Sequence, residues 1–195
     1  MEERDFLERV RERLERRTVR ELPDELGTRA AVLVPLYFVD RVPHLLFNLR
    51  TQQVLHHKGQ IAFPGGVREP EDADLAATAL RESEEELGLE PAEVQLLGRL
   101  DDFLTVTHYV VRPHVGLIPY PYEFRPSPLE VEEVFGVAIP RLIEPDGYTE
   151  QQVTFEGHEH MVPYFEVDGR TIWGATGRLL HQFLTEILDW QPPAG

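Results

Sequence analysis

The chain has 195 residues, 42% of them hydrophobic, which suits one globular domain with a modest extra element and is short for two. Nineteen Lys and Arg against 35 Asp and Glu leave a formal charge of -16, which disfavours nucleic acid or an anionic membrane as partner and favours a small ligand. Cysteine is absent, so disulfides, thiol nucleophiles, zinc-thiolate sites and iron-sulfur clusters are excluded, and any metal must be held by carboxylates, carbonyls or imidazoles.

The start, MEERDFLERVRERLERR, has no apolar signal core, and no later run approaches the roughly 18 apolar residues of a membrane span, so a cytoplasmic location is expected. From Glu3 to Arg17, Phe6, Val10 and Leu14 recur every four positions among charges, predicting a surface helix with one buried stripe. Residues 1–25 are therefore read as a helical extension packed on a domain of residues 26–195, and this helix is also a candidate dimer face. Ala30 to Val39 reads as a strand too apolar to be simply amphipathic, with Pro35 marking an edge or bulge. Asp40-Arg41 is a turn and Pro43 to Arg50 a returning strand.

Residues 51–72 show little regular structure beyond the apolar run Ile61 to Phe63. A helix is predicted from about Ala73 to Leu87, with Asp72 as N-cap and Gly88-Leu89 as a Schellman-type stop. Further strands are expected at Val94 to Leu100, Thr105 to Val111, His114 to Ile118, Val131 to Ile139, Val153 to Phe155 and Met161 to Val167. A last helix runs from about Gly174 to Leu188, with Trp173 and Leu180 as core residues. The stretches PYPYEFRPSP and IPRLIEP read as loops, and His158-Glu159-His160 as a polar hairpin end. Few helices around many strands give a mixed α/β layered domain.

On the predicted helix, a 100° projection places Ala76, Leu80, Ser83 and Leu87 on one packed stripe and Glu82, Glu85 and Glu86 together beside it. Carboxylates three and four residues apart repel, and Arg81 can neutralise only part of that charge. The pattern fits either a solvated acidic face or a site for a hard divalent cation, which takes oxygen ligands. Gly65-Gly66 upstream permits a close backbone approach, so that a Gly65 carbonyl could serve as a further oxygen ligand.

The segment GGVREPEDADLAATALRESEEELGL resembles the Nudix box, G-x5-E-x7-R-E-U-x-E-E-x-G-U with U aliphatic: Arg81, Glu82, Glu85, Glu86, Gly88 and Leu89 match in register. It departs at three points. The spacing from Gly66 to Arg81 is one residue longer, Ala73 stands where the first box glutamate is usual, and Ser83 fills the aliphatic slot. Glu71, Asp72 or Asp74 could replace that largely structural glutamate, and Ser83 is expected to accept a hydrogen bond from the preceding turn. Upstream, Leu46, Arg50, Val54, His57, Gly59, Gln60 and Phe63-Pro64-Gly65-Gly66 resemble the signature of the coenzyme A pyrophosphatase branch, with Asn48 and Thr51 as departures. Leu100-Asp101, Thr107, Tyr109, Val111, Pro113, Val115 and Gly116 follow the same branch, as does Ile172-Trp173-Gly174-x-Thr176.

This resemblance implies a Nudix fold, a mixed β-sheet sandwiched between helices, and hydrolysis of coenzyme A to 3',5'-ADP and 4'-phosphopantetheine with Mg²⁺ or Mn²⁺. Glu82, Glu85 and Glu86 would bind the metal, with Glu85 or Glu86 as candidate general base and Glu130, just before Glu-Val-x-x-Val-Phe, as the alternative acid. Arg81 would brace helix and loop, and Arg50, His57 and Gln60 would meet substrate. For Arg50 the upstream signature slightly favours the 3'-phosphate over the bridging diphosphate, since a guanidinium fork suits either. Alternatives are ADP-ribose, NADH or a dinucleotide polyphosphate as substrate, or a nucleotide-binding regulator without turnover, against which the complete glutamate set argues.

Overall fold

A computed structural model describes residues 2–52, 59–155 and 157–193. Helix α1 spans Glu3–Arg16, and the four-residue period of its apolar positions buries Phe6, Val10 and Leu14. Strand β1, Thr28–Val39, turns through Asp40-Arg41 into β2, Val42–Arg50. Both turn residues have positive φ, 47° and 66°, the geometry a two-residue hairpin requires. Two short strands follow, β3 at Ile61–Ala62 and β4 at Gly65–Val67, the second in a stretch expected to be irregular. Helix α2 occupies Leu75–Leu87.

Beyond it lie β5, Gln95–Arg99, the two-residue β6, Phe103–Leu104, and β7, Tyr109–Leu117. The two strands expected at 105–111 and 114–118 are thus one, for Pro113 does not break it. Strand β8, Val131–Ala138, leads into a short helix α3, Ile139–Leu142, where a loop was expected; proline fits because the first turn of a helix needs no donor there. Strands β9, Tyr148–Phe155, β10, His158–Val167, and β11, Arg170–Ile172, form a separate three-stranded sheet. Helix α4, Gly174–Gln182, continues as one π-type turn, Phe183–Ile187.

The main sheet is mixed, in the order β3-β2-β1-β7-β5, with β4 on β1, β6 on β7 and β8 on β2. Strand β1 is central, which corrects the edge assignment drawn from Pro35. It runs parallel to β7 along one side. On its other side β4 covers Ala30 to Val32 and β2 covers Leu36 to Val39. The Leu33 N–H donates to Pro64 O on that side, so Pro35, two residues on, turns its missing donor to the joint where β4 has ended and β2 has not begun. Pro113 does the same on β7: β5 ends with Arg99 opposite His114, β6 begins with Phe103 opposite Val111, and Leu100 N–H donates to the Pro113 carbonyl between them.

Alternation along β1 explains its continuous apolar run. Ala30, Val34 and Leu36 enter one core with α1, α4 and the small sheet, while Ala31, Leu33 and Tyr37 enter a second core with Leu75, Ala79 and Leu87 of α2. The sheet is therefore covered on both faces, which is the layered α/β architecture the sequence pattern implies. Leu180 is buried, but Trp173 is 42% exposed and stacks on Tyr164, so its assignment to the core does not hold. No described helix is long and apolar enough to cross a membrane.

Candidate active site

Helix α2 is capped by Asp74, whose side chain accepts from Ala77 N at 2.8 Å, and not by Asp72. Asp72 does other work. Its buried carboxylate accepts from Arg81 Nε at 2.9 Å and Nη2 at 3.1 Å, from Thr78 Oγ1 at 2.9 Å and from Glu69 N at 2.9 Å. The Arg81 hydrogen bond, against the cost of burial, holds the Asp72 carboxyl down to about 2. Of the three acids expected near Ala73, Asp72 is the one that meets Arg81. Arg81 reaches onward to Val67 O, Glu82 Oε1 and Glu85 Oε2, at 2.9, 3.0 and 3.0 Å, so that loop and helix are clasped by one guanidinium.

The far end of α2 stops at Gly88, left-handed at φ 66°, whose N–H donates to Glu84 O and Ser83 O. Ser83 is buried and its hydroxyl donates to Ala79 O at 2.7 Å, the reverse of the acceptor role expected for it. The buried arc of the helix is Leu75, Thr78, Ala79, Ser83, Glu86 and Leu87, with Ala76 and Leu80 only half-buried. Glu86, expected on a face beside the packed stripe, is 1% exposed. Its partners sit on strand β2, which a helical period does not reveal. Asn48 Nδ2 donates to Glu86 Oε2 at 2.9 Å, Gly65 N donates to the same oxygen at 3.3 Å, and Arg50 Nη1 donates to Oε1 at 3.0 Å.

Burial pushes the Glu86 carboxyl up to about 7; Arg50 opposes this, and the negative charges of Glu82 and Glu130 add to it. Burial likewise raises Glu82, against Arg81 and with Glu85 and Glu130 adding. Glu130, immediately before β8, is therefore brought within electrostatic reach of both glutamates. Its loop is fastened to β2 by Thr51 N to Glu130 O at 2.9 Å and Thr51 Oγ1 to Leu129 O at 2.8 Å. The same loop is tied to α2 by Ser127 N to Glu86 O at 2.9 Å. Arg50 ends β2 opposite an irregularity in β8: Leu49 pairs with Glu133 and Arg50 with Val131, leaving Glu132 as the extra residue of the β8 strand.

Glu85 turns outward to Arg81 with 55% of its side chain exposed. Gln60 lies beside the site, its carbonyl accepting from Arg50 N at 3.0 Å. His57, with Val54, His56 and Lys58, falls outside the described residues. The contact of Gly65 with Glu86 is through its N–H, where a carbonyl facing the carboxylates was expected. Asn48 and Asp72, which contact Glu86 and Arg81, are the positions that motif reading underused. Two-residue strand alternation from Arg50 points to Asn48, since both then share one face.

Among the described residues no three Asp, Glu or His side chains form a ready-made ligand cluster. The donor set nevertheless fits a hard divalent cation. It is all oxygen, it concentrates negative charge in a buried place, and Gly66 leaves room for it: a Cβ there would lie 2.4 to 2.6 Å from the Glu82 carboxylate atoms.

The NUDIX domain family matches residues 28–138. An uncharacterized Nudix hydrolase, NudL, of Photorhabdus laumondii is 36% identical over 158 residues, 81% of this chain and 84% of its own length. The peroxisomal coenzyme A diphosphatase of Mus musculus is 33% identical over 172 residues, 85% of this chain and 73% of that protein. Among solved structures, a MutT/nudix family protein from Enterococcus faecalis superposes with TM-score 0.59 over 90% of this chain and 66% of that one, at 14% identity. A NUDIX hydrolase from Alicyclobacillus acidocaldarius gives 0.52 over 60% and 81%, at 20% identity. With the box helix, its arginine clasp and its buried Glu86 in place, the chain belongs to the Nudix hydrolases and is a pyrophosphohydrolase.

Proposed function

We propose that this enzyme hydrolyses the pyrophosphate of coenzyme A to 3',5'-ADP and 4'-phosphopantetheine, with Mg²⁺ or Mn²⁺ held by Glu82 and Glu86. The observation that carries the substrate is the 33% identity to a coenzyme A diphosphatase across 85% of the chain. Nudix hydrolases generally use divalent metals; a bound ion would lower the pKa of water and offset charge on phosphate oxygens.

The side chains divide the remaining work. Both oxygens of Glu86 are already held by Asn48, Gly65 and Arg50, whereas the Glu130 side chain makes no hydrogen bond among the described residues. Glu130 is accordingly the group that takes the proton of the attacking water. That water forms a bond to one phosphorus, the bridging P–O bond breaks, and each fragment leaves with a phosphate. Arg50 lies against Glu86 inside this cluster, which supports a contact to the diphosphate shared by all candidate substrates more than one to the 3'-phosphate alone.

The test is a panel of coenzyme A, dephospho-coenzyme A, ADP-ribose, NADH and a dinucleotide polyphosphate with Mg²⁺ or Mn²⁺ and mass-spectrometric product identification. Coenzyme A is expected to give the highest kcat/KM. Arg50→Ala is expected to lower kcat/KM by similar factors, about ten- to a hundredfold, across the panel. A wild-type enzyme that cleaves another member and leaves coenzyme A intact would overturn the substrate. A loss in Arg50→Ala confined to coenzyme A would return Arg50 to the 3'-phosphate.

A further inference from the structure

Three buried side-chain atoms among the described residues have no hydrogen-bond partner: Asn48 Oδ1, Arg50 Nε and His114 Nε2. Two of them belong to the residues that grip Glu86. Native interiors satisfy nearly all such atoms, so two in one contact call for a reason. The cause lies in how the carboxylate is shared. An arginine and a carboxylate pair most strongly when two N–H groups meet two oxygens side by side. Here Arg50 offers only Nη1, to Oε1, while Asn48 Nδ2 and Gly65 N–H hold Oε2. Arg50 Nε is left over. Asn48 itself is fully buried, and its amide orientation is fixed by the same carboxylate, because a flipped amide would set Oδ1 against Glu86 Oε2.

We infer that Asn48 is a positioning residue that keeps Glu86 from closing a two-pronged ion pair with Arg50. Without the amide, Oε2 would be held only by the 3.3 Å bond from Gly65 N, and the carboxylate could leave Nη1 for the other edge of the Arg50 guanidinium, where Nε and Nη2 form a fork as they do from Arg81 to Asp72. That pairing would satisfy the orphaned Nε and withdraw Glu86 from Glu82 and Glu130. The two unsatisfied atoms are thus the cost of holding both Glu86 and Arg50 open to ligands. This inference rests on the role given to Glu86 above, not on which diphosphate is cleaved.

Asn48→Leu, which keeps the branching at Cγ, is bulkier and cannot donate, tests it against whichever panel substrate the wild type turns over. The expected result is a melting temperature at or above wild type, kcat lower by about ten- to a hundredfold with KM little changed, and weaker Mn²⁺ binding by electron paramagnetic resonance on the metal-free protein. In a Glu86→Gln background the same change should shift neither kcat nor Mn²⁺ affinity further, since the residue acts through Glu86 alone. Asn48→Thr, shorter but still polar, guards against a Leu variant that fails to fold and should fall between the two. Wild-type kcat and Mn²⁺ affinity in a folded Asn48→Leu would overturn the inference, as would equal losses in both backgrounds. Full activity of Glu86→Gln alone would instead remove the reading of Glu86 on which it stands.

Discussion

Replacing Asp72 by Asn isolates the charge that holds Arg81 to the loop before α2. The carboxylate is 7% exposed and accepts hydrogen bonds from Arg81, Thr78 and the Glu69 amide. Its pKa is held at about 2 against an ordinary 3.8. A depressed pKa means that the folded state favours the ionised form. The stabilisation is whole above about pH 4 and fades as pH falls toward 2. At roughly 1.4 kcal/mol per unit, the shift is worth about 2 kcal/mol at neutral pH. Asparagine adds the cost of an amide NH₂ facing the donors of Arg81 or Thr78. Arg81 keeps Glu82, Glu85 and Val67 O as partners, which limits the loss. A total of about 2 to 4 kcal/mol corresponds, in a chain of this size, to a melting temperature lower by roughly 5 to 15 °C at pH 7. Urea midpoints for wild type and Asp72→Asn at pH 7 and pH 3 provide the check, because the ionic share should be about half gone at the lower pH. Equal midpoints at pH 7 would refute the reasoning, and a gap undiminished at pH 3 would show that the charge is not its source.

Glu86→Gln should lose at least about a hundredfold in turnover while its metal-free melt at pH 8 is no lower than that of wild type. The sign follows from the raised Glu86 pKa: stability present below about pH 4.5 is lost as pH rises through about 7, and a neutral amide is spared that loss. A melt clearly below wild type at pH 8 would contradict it. Gly66→Ala should fold, because its new methyl meets the end of a flexible side chain, yet it must push the Glu82 carboxylate aside. Mn²⁺ affinity lower by about tenfold is expected, and unchanged affinity would exclude Glu82 from the metal site.

The box helix is legible in the sequence at its end and less so along its flank. Gly88 announces its stop because only a left-handed residue closes the helix there, and Arg81 to Glu85 follows from i,i+4 spacing alone. The helical projection sets Glu86 beside the packed stripe, whereas its burial is decided by Asn48 and Arg50 on β2, 38 and 36 positions away in the chain. Asp72 was visible as an acid near the helix start, but choosing between capping and clasping Arg81 depends on the path of the loop. Glu130 was recognisable as a late acid, whereas its approach to Glu82 and Glu86 is set by Thr51 and Ser127, which fasten the loop to separate elements. The short strands β4, β6 and β11 have too few residues to display a period of two.

Pro35 and Pro113 have a consequence for how the sheet can assemble. Each aims a position without a donor at the seam between two successive neighbours of a central strand. If β2 slid toward β4, or β5 toward β6, an acceptor on the sliding strand would face a proline nitrogen and go unpaired. Such a slip costs a hydrogen bond in a buried sheet, in addition to exchanging its apolar and polar faces when the slip is odd. The prolines therefore act as register stops. They let a strand that is apolar on both faces accept two short partners on one side without inviting one long partner in their place.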